Sequence, residues 1–432
     1  RGAGELIRPN ENTGGVTVSS RFTSFDSNGF SIGSDSVENN ASSNSFVSWA
    51  WKAGDSNTTI SSGGLNSSLY DQSQTWSTYG TFDNNWSNSA YHWDDVFNTT
   101  LANNGDGSLY VDGTTKDTWN LSSSYAVSNT IKVYTQSPTE ITINEGLSDE
   151  TVSTSSGTGL HYHSFSFTGN VESVGVRHAS GGSIYFMGIW FDGKQLVDDT
   201  ETVTNVPSIA STVRANPTAG FSIVTWTGTG SAGTLGHGLG KKPELIITKV
   251  YSSNYSDNWP VYHPAYGAGT YLYFNSNIAA PTSYTGFFNG VEPTSNVFTV
   301  GTANSDNTKD LIAYCFTSVE GYSKIGKYKG NGSTDGPFVH TGFRPAFILL
   351  KNVSDASTSW TIHDTKRIGY NPNNQLLFPN TNDAENTTNY LDILSNGFKL
   401  RISSSFANSS NKDFIYVAFA ENPFQANGGL AR

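Results

Sequence analysis

Apolar residues alternate with polar ones along much of the chain, in short runs rather than in helical periods. Residues 131–135 (IKVYT) and 141–146 (ITINEG) carry apolar side chains at every second position, and clusters of Gly, Asn or Ser separate such runs. Alternation with a period of two is the pattern of a half-buried β-strand. Strong helix formers are scarce, whereas β-branched and aromatic residues are frequent. The pattern predicts an all-β chain of short strands and tight turns.

Three runs depart from this alternation and are apolar at nearly every position. They are SNSFVSWAW (43–51), TKDLIAYCF (308–316) and NKDFIYVAF (411–419). A strand that is apolar on both faces is covered on both, either in a sandwich core or against a neighbouring subunit. Cys315 corresponds to Ala418 and Ala50 in these runs, which predicts a small core residue rather than a nucleophile.

The three runs belong to an internal repeat of about a hundred residues, and such repeats define the architecture of a chain. The matched pairs are 220–230 with 321–332, 237–249 with 340–351, 258–263 with 359–364, and 271–275 with 375–379. We therefore expect two complete units, residues 216–320 and 321–424, followed by a tail, 425–432. His237 and His340 begin matching segments, and we expect each to fix a turn by a hydrogen bond.

The start of the chain matches only the second half of this unit. LIRPN (6–10) resembles LLFPN (376–380), and FVSWAW (46–51) resembles FIYVAF (414–419). NGFSIG (28–33) likewise resembles NGFKLR (396–401). Residues 1–53 are thus predicted to be the second half of a unit. We expect its first half on upstream residues of a longer protein, and another segment that supplies those strands is the alternative.

Residues 54–215 do not follow the repeat. Alternating segments and turn residues predict a separate inserted β-sandwich there. Residues 59–68 and 203–220 are rich in small residues, and the second stretch also contains two prolines. We expect them to be the linkers on either side of this sandwich.

Composition and charge exclude several classes of function. The net charge is −12 with a pI near 5.0, which disfavours binding to a phosphate backbone. No stretch approaches the ~20 apolar residues of a membrane-spanning helix. Aromatic residues make up 13% of the chain, an apolar content that disordered chains lack. No nucleotide-binding, zinc-binding or nucleophile-elbow motif is present, so we expect no enzymatic activity.

Several segments resemble a known class of viral protein. SFDSNGFSIGSDS…FVSWAWKAGD (24–55), residues 205–249 and FAENPFQANGGLAR (419–432) resemble repeated domains of large structural proteins from marine tailed bacteriophages, generally assigned as tail fibres or host-recognition components. The inserted segment resembles a module that is similar to galactose-binding-like jelly rolls. The resemblance implies tandem β-sandwiches in an elongated fibre of the virion, assembled as a homotrimer with other tail or capsid proteins.

The inserted segment also contains a cluster of aromatic residues among polar ones. Its members are Trp76, Trp86, Tyr91 and Trp93. Aromatic faces stack on sugar rings while neighbouring Asn and Asp side chains bind hydroxyl groups. We take these four residues as candidate ligands of a host glycan, with burial of some of the rings in the core as the alternative.

Two sets of residues could bind a metal. His161 and His163 are two residues apart and therefore share one face of a strand, where three copies around an axis could hold a transition metal. The alternative, which we favour, is a neutral pair bonded to the backbone. Asp94, Asp95 and Asp106 could supply oxygen ligands to calcium. Loops of this composition are usually plain turns.

These observations predict a phage virion fibre protein that is structural and attaches to host cell-surface glycan. A purely structural capsid or tail decoration protein is one alternative. A polysaccharide depolymerase is another, although no pair of carboxylates placed for glycoside hydrolysis stands out in the sequence.

Overall fold

The computed structural model describes residues 3–26, 28–35, 39–62, 70–82, 96–97, 109–111, 116–136, 139–156, 159–180, 184–199, 206–279 and 283–422. These residues form β-strands, turns and single 3-10 turns (Trp76–Thr78 and Thr302–Asn304), without an α-helix. The all-β prediction is confirmed. None of the described residues forms a helix of the length and apolarity that a membrane span requires.

Strands in the first sixty residues are β1 (Glu5–Leu6), β2 (Val16–Thr17), β3 (Phe22–Asp26), β4 (Gly29–Ile32) and β5 (Thr58–Ile60). The next are β6 (Tyr70–Asp71), β7 (Gly80–Phe82), β8 (Leu109–Val111), β9 (Asp117–Val127), β10 (Thr130–Gln136), β11 (Thr139–Ile143), β12 (Thr151–Ser155), β13 (Leu160–Ser166), β14 (Gly169–His178), β15 (Ile184–Phe191) and β16 (Lys194–Leu196).

The remainder of the chain contains β17 (Ser211–Asn216), β18 (Phe221–Thr227), β19 (Gly233–Gly236), β20 (Leu245–Val250), β21 (Pro260–Tyr262), β22 (Leu272–Tyr273), β23 (Val297–Val300) and β24 (Asp310–Phe316). It continues with β25 (Ser323–Lys329), β26 (Phe338–His340), β27 (Pro345–Asn352), β28 (Thr361–Asp364), β29 (Leu376–Leu377), β30 (Leu391–Leu394), β31 (Gly397–Leu400) and β32 (Asp413–Ala420).

The chain divides into two compact units. The inserted unit is residues 61–208, and the repeat-containing unit is residues 1–60 together with 209–432. Strand β5 pairs with β17, so the two ends of the insertion are held side by side on a sheet of the repeat-containing unit. The inserted unit is therefore shorter at both ends than the 54–215 that we expected, because Thr59 and residues 211–216 are strand rather than linker.

The inserted unit is a sandwich of two sheets. One has the strand order β13-β10-β15-β16-β6, with β8 also on β15, and the other has β12-β11-β14-β9-β7. From β9 to β15 the chain crosses repeatedly between the sheets, as in jelly rolls. Apolar side chains of both sheets fill the space between them, including Trp76, Trp119, Ile131, Val133, Ile141, Val176, Phe186 and Ile189.

The two predicted complete units have the same strand order within the repeat-containing unit. In the first copy (216–320) the main sheet runs β18-β24-β20-β21-β22, and in the second copy (321–424) it runs β25-β32-β27-β28-β29. A small sheet follows the same correspondence, β19 on β23 in one copy and β26 on β31 in the other. The strand order of the main sheet is thus repeated, whereas the small sheet of the second copy has one additional strand, β30, beside β31.

Strand β32 shows why its sequence is apolar at every position. Tyr416 and Ala418 point into the sandwich core of the second copy, next to Phe398. Val417 and Phe419, on the opposite face, belong to a shared core that also contains residues of the first copy and of residues 1–53. Both faces of the strand are therefore buried. The partner on the second face is another copy in the same chain.

Polar groups recur at equivalent positions of the two copies. The Oδ1 atoms of Asn275 and Asn380 accept hydrogen bonds from the backbone N–H groups of Trp259 (3.0 Å) and Trp360 (2.9 Å). These bonds shift our alignment of 271–275 with 375–379 by one position, because Asn275 is equivalent to Asn380 and not to Pro379. A one-residue slip is invisible in short apolar strands, whereas the hydrogen bond fixes the register.

Two buried lysines also occupy equivalent positions. Lys249 Nζ donates to the backbone carbonyls of Asn12 (2.8 Å) and Asp257 (2.5 Å), and Lys351 Nζ donates to the carbonyl of Thr358. Burial lowers the pKa of each to about 8. Each ammonium group satisfies a carbonyl of the loop after its strand, and Lys249 also that of Asn12, which explains a lysine in an otherwise apolar run.

The two expected turn-fixing histidines are not equivalent. His237 is fully buried, its Nδ1 accepts from the Leu239 N–H (3.2 Å), and its Nε2–H donates to the Thr294 carbonyl (3.2 Å). In the second copy Thr341 replaces it, since its hydroxyl donates to the Phe343 carbonyl (2.6 Å). His340 is exposed and precedes the turn. The prediction is correct for His237 and wrong for His340.

We predict that replacing His237 reduces the pH dependence of stability. Burial lowers the pKa of His237 to about 4, below the roughly 6.5 of an unfolded histidine. The folded state then binds fewer protons than the unfolded state between pH 6.5 and 4, so stability falls as pH falls through this window. From pH 7 to 5 the loss from this group is about 2 kcal/mol.

His237→Gln keeps a donor and an acceptor but does not titrate. Urea unfolding at pH 7 and pH 5 should therefore show a smaller acid loss in this variant than in the wild type. The matched control is His340→Gln, which should keep the wild-type loss. Equal acid losses in the wild type and His237→Gln would contradict this assignment.

We also predict that Trp76 is essential to the inserted unit. Its ring is fully buried against Tyr79, Trp119 and Tyr125, with centroids 5.3, 6.1 and 5.2 Å away. Trp76→Ala should lower the free energy of unfolding of this unit by about 3–5 kcal/mol. Tyr162→Ala, at a half-exposed position, should change it far less. Calorimetry of both variants measures this, and a small effect at Trp76 would show that its ring is not a core element.

Candidate functional site

An aromatic cluster lies on the outer face of one sheet of the inserted unit. We call it the Tyr162 platform, formed by Lys132, Tyr134, Tyr162 and Trp190. The ring centroids of Tyr134 and Tyr162 are 4.6 Å apart, and those of Tyr162 and Trp190 are 5.4 Å apart with nearly perpendicular planes. Tyr162 is 50% exposed, whereas Trp190 is 5% exposed. The platform thus presents one open tyrosine ring on a buried aromatic base.

Strand register places these side chains together. On β10, Ile131 and Val133 point into the core, so Lys132 and Tyr134 point outward. Tyr134 is opposite Tyr162 on β13, and Lys132 is opposite Trp190 on β15. Opposite residues of antiparallel strands have side chains within contact distance of each other. The period-two alternation of three neighbouring strands therefore builds the platform.

Lys132 contributes a positive charge directly over the rings. Its Nζ atom is 4.6 Å from the ring centroid of Tyr162 and 4.3 Å from that of Trp190. Such cation–π contacts stabilise by about 0.5–1 kcal/mol at exposed sites. Partial burial lowers the pKa of Lys132 and raises the pKa of Tyr162. The ammonium group is a hydrogen-bond donor held against the aromatic surface formed by Tyr162 and Trp190.

This combination suits the binding of a sugar. The apolar face of a pyranose ring packs against an aromatic ring, and its hydroxyl or carboxylate oxygens accept hydrogen bonds from a nearby cation. Tyr162 offers the ring and Lys132 the donor. None of the four platform side chains, Lys132, Tyr134, Tyr162 and Trp190, is a carboxylate.

The predicted glycan residues are not where we expected them. Trp76 is a core residue whose indole Nε1–H donates to the Asp71 carbonyl (2.8 Å), so neither face of its ring can meet a ligand. This prediction is corrected: Trp76 begins a 3-10 turn that packs its ring into the core, so polar neighbours in sequence do not indicate an exposed ring here. Trp86, Tyr91 and Trp93 lie outside the described residues.

His161 and His163 point to the same face of β13, as their spacing predicts. Each is bonded to a serine of β12 in the other sheet: His161 Nε2 to Ser155 Oγ (2.5 Å) and His163 Nε2 to Ser153 Oγ (2.9 Å). Burial, followed by the neighbouring His161, lowers the pKa of His163. The pair joins the two sheets at one edge of the sandwich through serine hydroxyl groups, and His161 Nδ1 also lies 3.1 Å from the backbone carbonyl of Gly159.

Metal ligands are also absent elsewhere in the part of the chain that the structure describes. No three His, Cys, Asp or Glu side chains converge there on a position for an ion. The calcium candidates Asp94, Asp95 and Asp106 lie outside these residues, so that prediction stays open. Cys315 is fully buried, and burial raises the pKa of its thiol, as expected of a core residue.

The platform could have been found from the sequence by one signal. In IKVYT and LHYHSF the tyrosines occupy the polar phase of an alternating strand. An aromatic residue in that phase is directed outward. Grouping aromatic residues by proximity in sequence misses this, since Tyr134, Tyr162 and Trp190 come from three separate strands.

Comparison with known proteins identifies the family but no function. Residues 1–79 and 189–423 match the family described as "Domain of unknown function (DUF7483)". The unmatched stretch between them, 80–188, lies within the inserted unit. No curated protein and no solved structure matches the chain. Because the match covers well over half of the chain, the protein belongs to the DUF7483 family.

Proposed function

We propose that this protein is a structural component of a phage virion fibre that attaches the particle to host cell-surface glycan through the Tyr162 platform. The observation that carries the attachment role is the half-exposed Tyr162 ring with the Lys132 ammonium over it. The virion location and assembly as a homotrimer are supported by the resemblance of the repeats to phage structural proteins.

The low charge of the chain also supports a carbohydrate ligand. Charged residues are 14% of the sequence, well below the ~25% usual in soluble proteins. A surface dominated by Ser, Thr, Asn and Tyr can exchange hydrogen bonds with sugar hydroxyls without a large cost of removing water from charges. On a chain of net charge −12, Lys132 would be a local cation that favours an acidic sugar.

Weak binding at one platform is sufficient for this role. One open ring and one donor provide a small contact, and its affinity is correspondingly low. Several copies on one particle act together, because each further contact forms at the high effective concentration set by the first. The sandwiches would hold the platforms in fixed positions, which keeps the entropic cost of simultaneous contact small.

We predict that a bacterial polysaccharide array will retain the full chain and that Tyr162→Ala will weaken this binding. Loss of one aromatic contact of ~0.5–1.5 kcal/mol corresponds to roughly 2- to 12-fold per site. Lys132→Met keeps the packing of the stem but removes the charge, so it should weaken binding to acidic polysaccharides more than to neutral ones.

The matched control is Tyr370→Ala, which removes a tyrosine that is 73% exposed in the other unit and should leave binding unchanged. Absence of binding by the wild type would favour a purely structural virion protein. Retained binding by Tyr162→Ala would place the glycan site elsewhere. Release of reducing ends from a bound polysaccharide would instead establish a depolymerase.

A further inference from the structure

Residues 1–53 contain the second half of a third repeat copy, which we call the partial copy. The hairpin β3–β4 has the register of β30–β31, with Asp26 opposite Gly29 as Leu394 is opposite Gly397. The residue that opens each doubly apolar run has a positive φ in all three copies, namely Ser43 (66°), Thr308 (63°) and Asn411 (59°). This conformation is uncommon outside glycine. The partial copy therefore matches the two complete copies in structure as well as in sequence.

The three copies surround one point. Trp51, Phe316 and Phe419 close the three equivalent runs, and their rings meet: Trp51 is 6.4 Å from Phe316 and 5.4 Å from Phe419, and Phe316 is 6.0 Å from Phe419. Three equivalent side chains in mutual contact are the arrangement expected around a threefold pseudo-axis. The partial copy occupies the third position around it.

The partial copy lacks the strands that its equivalents pair with. In the first copy β24 lies between β18 and β20, and in the second copy β32 lies between β25 and β27. All four neighbours come from the first half of the repeat. Residues 44–54, the equivalent run of the partial copy, form no strand. The run therefore lacks the ladder hydrogen bonds that its equivalents make to a strand on either side.

Side chains that are core in a complete copy are consequently exposed in the partial one. The exposed fractions are Phe25 67%, Phe30 41%, Ile32 45% and Phe46 51%, against Ile393 2%, Phe398 0%, Leu400 0% and Phe414 0% at the equivalent positions. Clustered exposed apolar residues of this kind mark a surface that another polypeptide covers. The same residue types in the same register are buried wherever the first half of the repeat is present.

A cavity of about 730 Å³ opens beside the partial copy. Protein interiors contain few voids larger than a water molecule, so this is unfilled space in an incomplete core. Trp49, Tyr314 and Val417, equivalent residues of the three copies, all line it. Its wall also includes Asn10, the equivalent of Asn275 and Asn380, each of which bonds the backbone of a tryptophan from its own first half.

The complete copies show what fills such a space. Four apolar positions of each first half project into the shared core, on the strand pair β20–β21 or β27–β28. They are Leu245, Ile247, Trp259 and Val261 in the first copy and Phe347, Leu349, Trp360 and Ile362 in the second. A third strand pair with this pattern would supply the missing side chains and the missing ladder.

We propose that the cavity and the exposed face of the partial copy form one docking site. Its occupant is a third copy of the first half of the repeat, the part that corresponds to residues 321–375. The occupant is a β-rich segment with two apolar strands, and a tryptophan directly precedes the second strand. In the second copy β28 pairs with β29, where His363 is opposite Leu376, so the corresponding strand of the occupant would lie beside Leu6, the equivalent of Leu376. The alternatives are a small apolar ligand and a second copy of the chain.

The test joins a copy of residues 321–375 to Leu6 of the full chain and follows burial by thiol labelling. Cys315 is fully buried, so Phe46→Cys introduces one accessible thiol. The fusion should slow its labelling at least roughly tenfold, because a buried thiol reacts only when the structure opens. Tyr370→Cys, the matched control at an exposed site outside the cavity lining, should be labelled equally fast with and without the fusion.

A second fusion carries Trp360→Asp and Ile362→Asp in the added segment only and should leave the Phe46→Cys thiol reactive. Equal labelling with and without the intact fusion would overturn the proposal. So would protection of that thiol in the unfused chain by self-association, or binding of a hydrophobic dye in the cavity that the fusion does not displace. Each variant retains the Tyr162 platform, so the outcome is independent of glycan binding.

Discussion

The repeat-containing unit depends on strands that must be buried on both faces. In β32 one face belongs to the sandwich of its own copy and the other to a core shared between copies, where Phe419 meets Phe316 and Trp51. A copy standing alone would expose the second face to water, at a cost of about 25 cal/mol per Å² of apolar surface. Copies therefore have to pack on one another, and the contact is built into the strand that the sequence repeats.

The same constraint accounts for the polar residues within the apolar strands. Lys249 and Lys351 satisfy backbone carbonyls close to the shared core, and Asn275 and Asn380 bind the backbone N–H of the tryptophan just before β21 or β28. Buried polar groups are tolerated where each has its partner. Strands β5 and β17, which flank the insertion in sequence, pair with each other within the repeat-containing unit.

Periodicity and repetition predicted the class of fold and the internal repeat, because both follow from which positions are apolar. The pattern of apolar positions could not predict details that depend on individual hydrogen bonds. These details are the equivalence of Asn275 with Asn380 and the replacement of His237 by Thr341. The prediction that Trp76 binds a glycan was wrong for a related reason. Trp76 and Tyr162 are both aromatic residues among polar neighbours, but Trp76 lies in a 3-10 turn packed into the core, whereas Tyr162 occupies the outward phase of β13.

A double-mutant cycle on Phe316 and Phe419 tests the shared core most directly. If the two copies share a core, Phe316→Ala and Phe419→Ala are coupled by about 0.5–1.5 kcal/mol in the free energy of unfolding. Phe298→Ala, which removes a ring packed on Trp226 in the first copy, should be additive with Phe419→Ala. Additivity of Phe316→Ala with Phe419→Ala would contradict the account, since the two copies would then not share a core.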